Sequence, residues 1–176
     1  LSTTSHSIFL GNGVAKGLIS GNSNIAMING AMNCSVSAQN TIALGGSAGR
    51  CITSGKYNIA IGQLAGCDVG SCNCNIFIGR YAGQTGGSNA NIAIGLKAGR
   101  CIGGAQGGAD SIARGGQNIM FGSQAGEQTT TGQGVIYIGS LSGQCNRTGT
   151  CTIAIGRGAG LGDTNGTANV YIGNHS

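Results

Sequence analysis

The 176-residue sequence lacks proline and tryptophan, and only 7% of its residues are charged. Without proline and without a Gly-X-Y triplet, the sequence excludes a collagen triple helix. No stretch approaches the ~20 apolar residues that cross a bilayer, so we expect no membrane span. The nine Lys and Arg residues give a formal net charge of +5. They are scattered, which is typical of a solvated surface and argues against nucleic acid as a partner.

Side chains suited to catalysis are also scarce. The sequence has four acidic residues and two histidines, and His6 and His175 lie near its two ends. No pair of carboxylates recurs on one strand face, and no Ser-His-Asp or Cys-His arrangement can be assembled. We therefore expect a protein that is not an enzyme and that has no cofactor and no metal site.

Glycine is abundant, with 37 residues, and it marks a repeat. The segment Asn58–Gly66, NIAIGQLAG, returns almost unchanged as Asn91–Gly99, NIAIGLKAG. The glycine that ends each Ile-x-Ile-Gly is here called the ruler glycine. It recurs at a step of 17 from Gly45 to Gly79, where 62 − 45 and 79 − 62 both equal 17, and again from Gly122 to Gly173. A short, fixed period of this kind indicates stacked identical units.

The period and the pattern inside each repeat predict the fold. Ile-x-Ile alternates with a period of two, as in a β-strand. So short a repeat has no room for a helix, a strand and two turns, but it suffices for one coil of short strands. Coils stacked about 4.8 Å apart place equivalent residues above one another. We predict an all-β fold, a single parallel β-solenoid (β-roll) domain over residues 1–176, with about 10–11 coils and a length of about 50 Å.

The repeat is interrupted once. From Gly95 to Gly122 the step is 122 − 95 = 27, which is ten more than one coil. The intervening segment is rich in glycine and contains a degenerate strand, Ser111–Gly115. Extra residues in a solenoid usually bulge outward on one face. We predict an irregular coil with a loop insertion at about residues 100–117.

The alternation also predicts which side chains lie inside. We expect the two large aliphatic residues of each Ile-x-Ile to form the inner stack, and the residue between them to point outward. That middle residue is never charged, Ser or Thr, whereas a solvated strand face would be polar. The sequence therefore predicts an outward apolar stripe that a partner covers. Its members are Phe9, Ala26, Ala43, Ala60, Phe77, Ala93, Met120, Tyr137, Ala154 and Tyr171.

Asparagine opens the strand in six of the ten copies, and two structural explanations are open. Stacked Asn side chains can hydrogen-bond along the axis as a ladder, and Asn also suits a turn. The asparagines concerned are Asn24, Asn58, Asn75, Asn91, Asn118 and Asn169.

Eight cysteines favour an oxidising compartment, hence an extracellular or cell-surface protein. Cys34 and Cys51 are one period apart, which places them within disulfide range on adjacent coils. Two other pairs flank the same polar loop in different repeats. The predicted bridges are Cys34–Cys51, Cys67–Cys74 and Cys145–Cys151, and Cys72 and Cys101 are left to pair between chains or to stay free. Zinc at Cys67, Cys72 and Cys74 is an alternative, although Cys-x4-Cys-x-Cys is not a common zinc spacing.

Four Asn-x-Ser/Thr sequons are candidate glycosylation sites in an extracellular protein. Such matches arise easily by chance in a chain rich in Asn, Ser and Thr. They are Asn33, Asn146, Asn165 and Asn174.

The motif Asn-Ile-Ala-Ile-Gly-x-x-Ala-Gly resembles the head repeats of trimeric autotransporter adhesins. It is also similar to repeats in bacteriophage tail fibres, where Ala-Ile-Gly-x-x-Ala-Gly units recur. The resemblance covers the chain from about Ser7 to Gly173. It implies a left-handed parallel β-roll, commonly trimeric, used as an extracellular fibre or an adhesive surface.

The sequence-based hypothesis for function is an extracellular structural protein whose copies stack end to end into a filament. Solenoids that stay soluble need capping segments, and the first and last strands, Ser7–Gly11 and Val170–Ile172, carry no Pro and no charged edge residue. Its partner would then be itself, as a homo-polymer that is trimeric or laterally bundled. The alternatives are a trimeric receptor-binding adhesin or phage tail-fibre segment, and an ice-binding solenoid, for which a regular Thr array is missing.

Overall fold

The computed structural model describes residues 3–103 and 116–176. Within them all regular structure is β, and no helix long and apolar enough to cross a membrane is present. Each strand has three residues. The strands are β1 (Thr3–Ser5), β2 (Ile8–Leu10), β3 (Ser20–Asn22), β4 (Ile25–Met27), β5 (Ile42–Leu44), β6 (Ile59–Ile61), β7 (Ile76–Ile78), β8 (Ile92–Ile94), β9 (Ile119–Phe121), β10 (Ile136–Ile138), β11 (Ile153–Ile155) and β12 (Val170–Ile172).

Ten of these strands form one parallel sheet in the order β12-β11-β10-β9-β8-β7-β6-β5-β4-β2, and β1 pairs with β3 beside it. The register is in step with the repeat, so Ile59 pairs with Ile76 and Ala60 with Phe77. Each strand is therefore one coil further along the axis, and the ten strands span about nine turns. The predicted all-β parallel solenoid is confirmed, and so is its period of about 17.

The predicted orientation of the strands is wrong. The central residue of each strand points into the lumen, and its two flanking residues point outward. Ala43 and Phe77 are 0% and 1% exposed, whereas Ile8 and Ile172 on the outer side are 54% and 69% exposed. The residues predicted as an outward stripe instead line the lumen, with the two at the ends of the sheet only partly buried: Phe9, Ala26, Ala43, Ala60, Phe77, Ala93, Met120, Tyr137, Ala154 and Tyr171.

The narrowness of the lumen explains this orientation. The coils also direct inward the residue that opens the strand, a residue three positions after the ruler glycine that is alanine in most coils, and a residue nine positions after the central one, here called the opposing residue. With those three in place, one central side chain completes a close-packed cross-section. Two Ile side chains per strand would overfill it.

Central and opposing residues complement each other in volume over the coils from Ala43 to Ile102. Where the centre is Ala, the opposing residue is large, and where the centre is Phe77, the opposing residue is Gly86. A Cβ built on Gly86 would lie 3.2 Å from Phe77 Cζ, so a larger residue there would require the Phe77 ring to shift. The pairs are Ala43 with Ile52, Ala60 with Val69, Phe77 with Gly86, and Ala93 with Ile102.

In one coil, a residue at a different position fills the lumen. Its central residue Ala26 and its opposing residue Ser35 are both small and fully buried. Met32 stands where the next coil has Gly49, is 0% exposed, and adopts a left-handed φ of 53°. A long, flexible thioether fills irregular space well. We infer that filling the lumen outweighs the backbone strain of a non-glycine residue at this corner.

The ruler glycine is required for two reasons. Its φ lies between 123° and 142°, a region that side chains rarely adopt. In addition, a Cβ on Gly62 would lie 2.7 Å from the carbonyl oxygen of Gly79 in the next coil. The one departure is Ile28, which has a φ of 78° and is 57% exposed. Because a β-branched residue is strained there, this corner is a local weak point.

The opening residues form a ladder, which decides between the two explanations for Asn. Asn75 donates from its backbone N–H and from Nδ2 to Asn58 Oδ1, at 3.0 and 3.2 Å. Asn91 makes the same two bonds to Asn75 Oδ1, at 3.0 and 3.1 Å. Asn58 Nδ2 also donates across its own coil to the Cys72 carbonyl at 2.8 Å. These side chains are buried, so the ladder satisfies polar groups that would otherwise destabilise the lumen.

The long step of the repeat does not interrupt the sheet. Strand β8 pairs directly with β9, the Asn118 N–H donates to Asn91 Oδ1 at 3.3 Å, and Asn89 forms a parallel bridge with Gly116. The sheet and the ladder are therefore continuous across the long step. The predicted insertion and its degenerate strand fall mainly on residues 104–115, which lie outside the described residues.

Candidate functional site

The flanking residues of the ten strands form a continuous outer surface, which we call the apolar face. Because the strands are in register, each flanking residue lies beside its equivalent in the next coil. The first column is Ile8, Ile25, Ile42, Ile59, Ile76, Ile92, Ile119, Ile136, Ile153 and Val170. The second column is Leu10, Met27, Leu44, Ile61, Ile78, Ile94, Phe121, Ile138, Ile155 and Ile172.

Neither column contains a polar or charged residue. Ten strands at about 4.8 Å spacing span about 43 Å. The two columns, which lie on either side of the central residues, make a band about 10 Å wide. The band covers on the order of 400 Å², a size at which apolar patches on soluble proteins are often functional. An uninterrupted band of this kind is a candidate contact surface.

Polar and glycine residues border the apolar face. The ruler glycines follow one column, and beyond them Gln63 and Arg80 are exposed. The other border consists of left-handed residues that precede the opening residues. Tyr57, Cys74 and Cys151 are examples, each exposed with φ between 53° and 60°. An apolar centre with a polar rim is the usual composition of a protein interface.

All eight cysteines are free thiols, so none of the three predicted bridges is formed. Cys67 and Cys74 are separated along their coil by the buried residues Val69 and Cys72. Asn146 separates Cys145 from Cys151 in the same way. The segment that we expected to be a polar loop is thus a wall of the coil, and its inward residues hold the two cysteines apart.

Cys34 and Cys51 remain the pair best placed for chemistry. Cys34 N–H donates to the Arg50 carbonyl, and Cys51 N–H donates to the Cys67 carbonyl one coil further, at 2.8 and 2.7 Å. Burial and a hydrogen bond with Cys34 raise the pKa of Cys51. Burial, reinforced by the neighbouring Asp68, raises the pKa of Cys67 to about 12. The Cys51 and Cys67 thiols are therefore protonated near neutral pH and react slowly.

Cys72 and Cys101, the two cysteines without a predicted bridge, also differ in their surroundings. Cys72 is buried, and burial raises the pKa of its thiol. Cys101 is half-buried. Among the described residues, no three Cys, His, Asp or Glu side chains come together in a group that could hold a metal ion. Cys67, Cys72 and Cys74 are thus not assembled into the alternative zinc site.

The sequons are not equivalent. Asn146 is 1% exposed, and its Oδ1 accepts the Gly149 N–H at 2.7 Å inside the lumen. A glycan on its amide would have no room in the folded chain, so this candidate site is wrong. Asn165 and Asn174 are exposed and Asn33 is half-buried, so these three remain predictions.

A buried carboxylate joins three adjacent coils. Glu127 Oε2 accepts hydrogen bonds from Gln124 and Gln144 at 2.8 and 3.1 Å. Lys97 and Arg100 lie 3.8 and 3.7 Å from Oε1. Burial alone would raise the pKa of Glu127, but the two amides and the two cations outweigh it and lower the pKa. This network stabilises the coil.

The apolar face was missed from the sequence, although a signal for it exists. Flanking residues are large in every copy, whereas the central residue varies between Ala, Phe, Met and Tyr. The exchange of Ala60 with Val69 for Phe77 with Gly86 shows that the central residue shares a confined volume. Comparing these two positions between repeats would have identified the inner face.

No protein-family model, curated protein or solved structure matches the chain.

Proposed function

We propose that the chain is a structural solenoid whose copies associate side by side through the apolar face. The observation that carries this proposal is the uninterrupted pair of apolar columns on the outer side of the ten-stranded sheet. Exposed to water, such a surface is unfavourable by about 25 cal/mol per Å². An extracellular location belongs to the proposal and rests on the resemblance of the repeat to adhesin heads and tail fibres.

The geometry favours another copy of the chain as the partner. The side chains of the two columns form a series of ridges that repeats at the spacing of one coil along the whole apolar face. A second copy has the same spacing, so the ridges of one can occupy the grooves of the other at every coil. The band supplies about half of the ~800 Å² per partner of a standard interface. The polar rim would supply the rest.

Sedimentation or light scattering of the full chain tests the proposal. We expect a dimer or trimer at micromolar concentration, and a monomer for the double variant Ile61→Lys/Ile78→Lys on adjacent coils. The matched control is Ser54→Lys/Ser71→Lys, which adds the same charge at exposed positions off the face. A wild-type monomer at all concentrations, or equal masses for both variants, would contradict the proposal.

Measurements on the same samples also distinguish between the alternative functions. A mass of three chains agrees with the trimeric adhesin or tail-fibre arrangement that the resemblance implies. Micrographs that show threads much longer than the ~50 Å of one solenoid would support end-to-end stacking. An ice-binding role would have to use Ile, since the apolar face contains no Thr.

A further inference from the structure

The residues that line the lumen become more polar towards its C-terminal coils. In the earlier coils most opposing residues are apolar, such as Ile52, Val69 and Ile102, whereas the last three are Thr129, Asn146 and Asp163. Thr129 and Asn146 are 0% and 1% exposed. Burying a polar side chain is unfavourable unless it is hydrogen-bonded. This segment of the lumen therefore contains polar groups whose partners must be identified.

Tyr137 extends into the same segment. It is a central residue, and its ring lies against the corners of two adjacent coils. A Cβ built on Gly143 would lie 2.6 Å from its Cζ, and one on Gly126 would lie 2.8 Å from its Cδ2. The ring of the equivalent Phe77 reaches its opposing residue. The Tyr137 hydroxyl, one atom beyond the ring, therefore lies beside the column of opposing residues.

Three buried polar atoms in this segment have no hydrogen-bond partner within the protein. They are Thr129 Oγ1, the Tyr137 hydroxyl and Asn146 Nδ2. The other amide atom, Asn146 Oδ1, accepts a bond at 2.7 Å from the Gly149 N–H, so the orientation of this side chain is fixed. Leaving three such atoms unpaired would destabilise the folded chain, because each buried group without a partner keeps the full cost of its desolvation.

We propose that this lumen segment is a binding site for ordered water, which bridges Thr129, Tyr137 and Asn146. The two hydroxyls can each donate and accept, and the amide donates. A buried water needs two to four such partners. The inward amide N–H disfavours a cation. The nearby Asp163 carboxylate disfavours an anion. Burial is the main cause that raises the pKa of Tyr137, and the negative charge of Asp163 is the second.

Asp163 links this site to solvent. Its Oδ2 accepts hydrogen bonds from the Tyr171 hydroxyl and Asn169 Nδ2 at 3.1 and 3.3 Å. Its Oδ1 accepts the N–H groups of Gly166 and Asn165. Asp163 and Tyr171 are only half-buried. Water can therefore exchange along the polar column, and hydration stabilises these coils where aliphatic packing stabilises the earlier ones.

Chemical denaturation of the full-length variants Tyr137→Phe and Thr129→Val tests the proposal. With bridging water, each lowers the folded-to-unfolded ratio about fivefold, because a water-mediated hydrogen bond is lost. The effects should not add in the double variant, because both residues share the water. Tyr57→Phe, at an exposed tyrosine, is the control and should have no effect.

A stability that is unchanged or increased in Tyr137→Phe would overturn the proposal, since deleting an unpaired hydroxyl removes only a penalty. A high-resolution crystal structure of the wild-type protein decides the matter if the variants fail to fold. Ordered density within hydrogen-bond distance of at least two of the three atoms supports the site, and its absence refutes it.

Discussion

Exchanging the volumes of Phe77 and Gly86 tests how the solenoid packs. Phe77 is 1% exposed, so Phe77→Ala should destabilise the fold by about 3–5 kcal/mol. Gly86→Val should also destabilise, by about 1–3 kcal/mol, because its Cβ alone would lie 3.2 Å from Phe77 Cζ. The double variant recreates the Ala60 and Val69 pair of the preceding coil. We expect it to lie within about 1.5 kcal/mol of wild type.

The backbone permits this exchange, because Gly86 is not among the glycines with positive φ. The matched control combines Phe77→Ala with Gly46→Val. A Cβ on Gly46 would contact only Gln63 Cγ, at 3.9 Å. This control should not rescue stability, because Gly46 does not face Phe77.

The assay is denaturant unfolding followed by far-ultraviolet circular dichroism, at one protein concentration because association also stabilises. The double-mutant cycle should give an interaction energy of several kcal/mol between positions 77 and 86. Additive losses in the Phe77→Ala/Gly86→Val variant would refute the idea that the two residues share one confined volume.

Four further predictions concern other parts of the coil. Ile28→Gly should raise stability by about 1 kcal/mol or more by relieving the left-handed strain, and an unchanged denaturation midpoint would contradict this. Asn75→Ala should cost about 2–3 kcal/mol by leaving ladder groups unpaired, with a smaller loss for the Thr variant, as denaturation would show. Because the folded pKa of Glu127 is lowered below its ordinary 4.5, its stabilisation is present above that pH and is lost as the pH falls through the folded pKa. If this is wrong, the stability of the wild-type protein and that of Glu127→Gln will depend on pH in the same way. Oxidised glutathione should convert Cys34 and Cys51 to a disulfide with release of two reduced glutathiones, and peptide mapping without reduction that finds both thiols free would exclude it.

The coil was predictable from the sequence because its requirements are local. Gly45, Gly62 and Gly79 recur at each corner since neither a side chain nor an ordinary φ fits there. The period of two in Ile-x-Ile identifies a strand, and the short spacing between ruler glycines leaves room for little else. The Asn ladder was foreseeable as one of two explanations, because a residue that recurs in coil after coil stacks on its own copies.

Only the tertiary structure decided which face of each strand is inside. Alternation separates two faces, but here both are apolar, and the choice depends on the space that the whole coil encloses. Phe77 fits inward because Gly86, nine positions later, makes room for it, and Ile76 and Ile78 are left outside. The Cys67–Cys74 pairing is not formed for a related reason: sequence spacing does not show that Val69 and Cys72, which lie between the two cysteines, point into the lumen. Enclosed volume is a property of the closed coil, and it decides which apolar side chains remain at the surface to meet a partner.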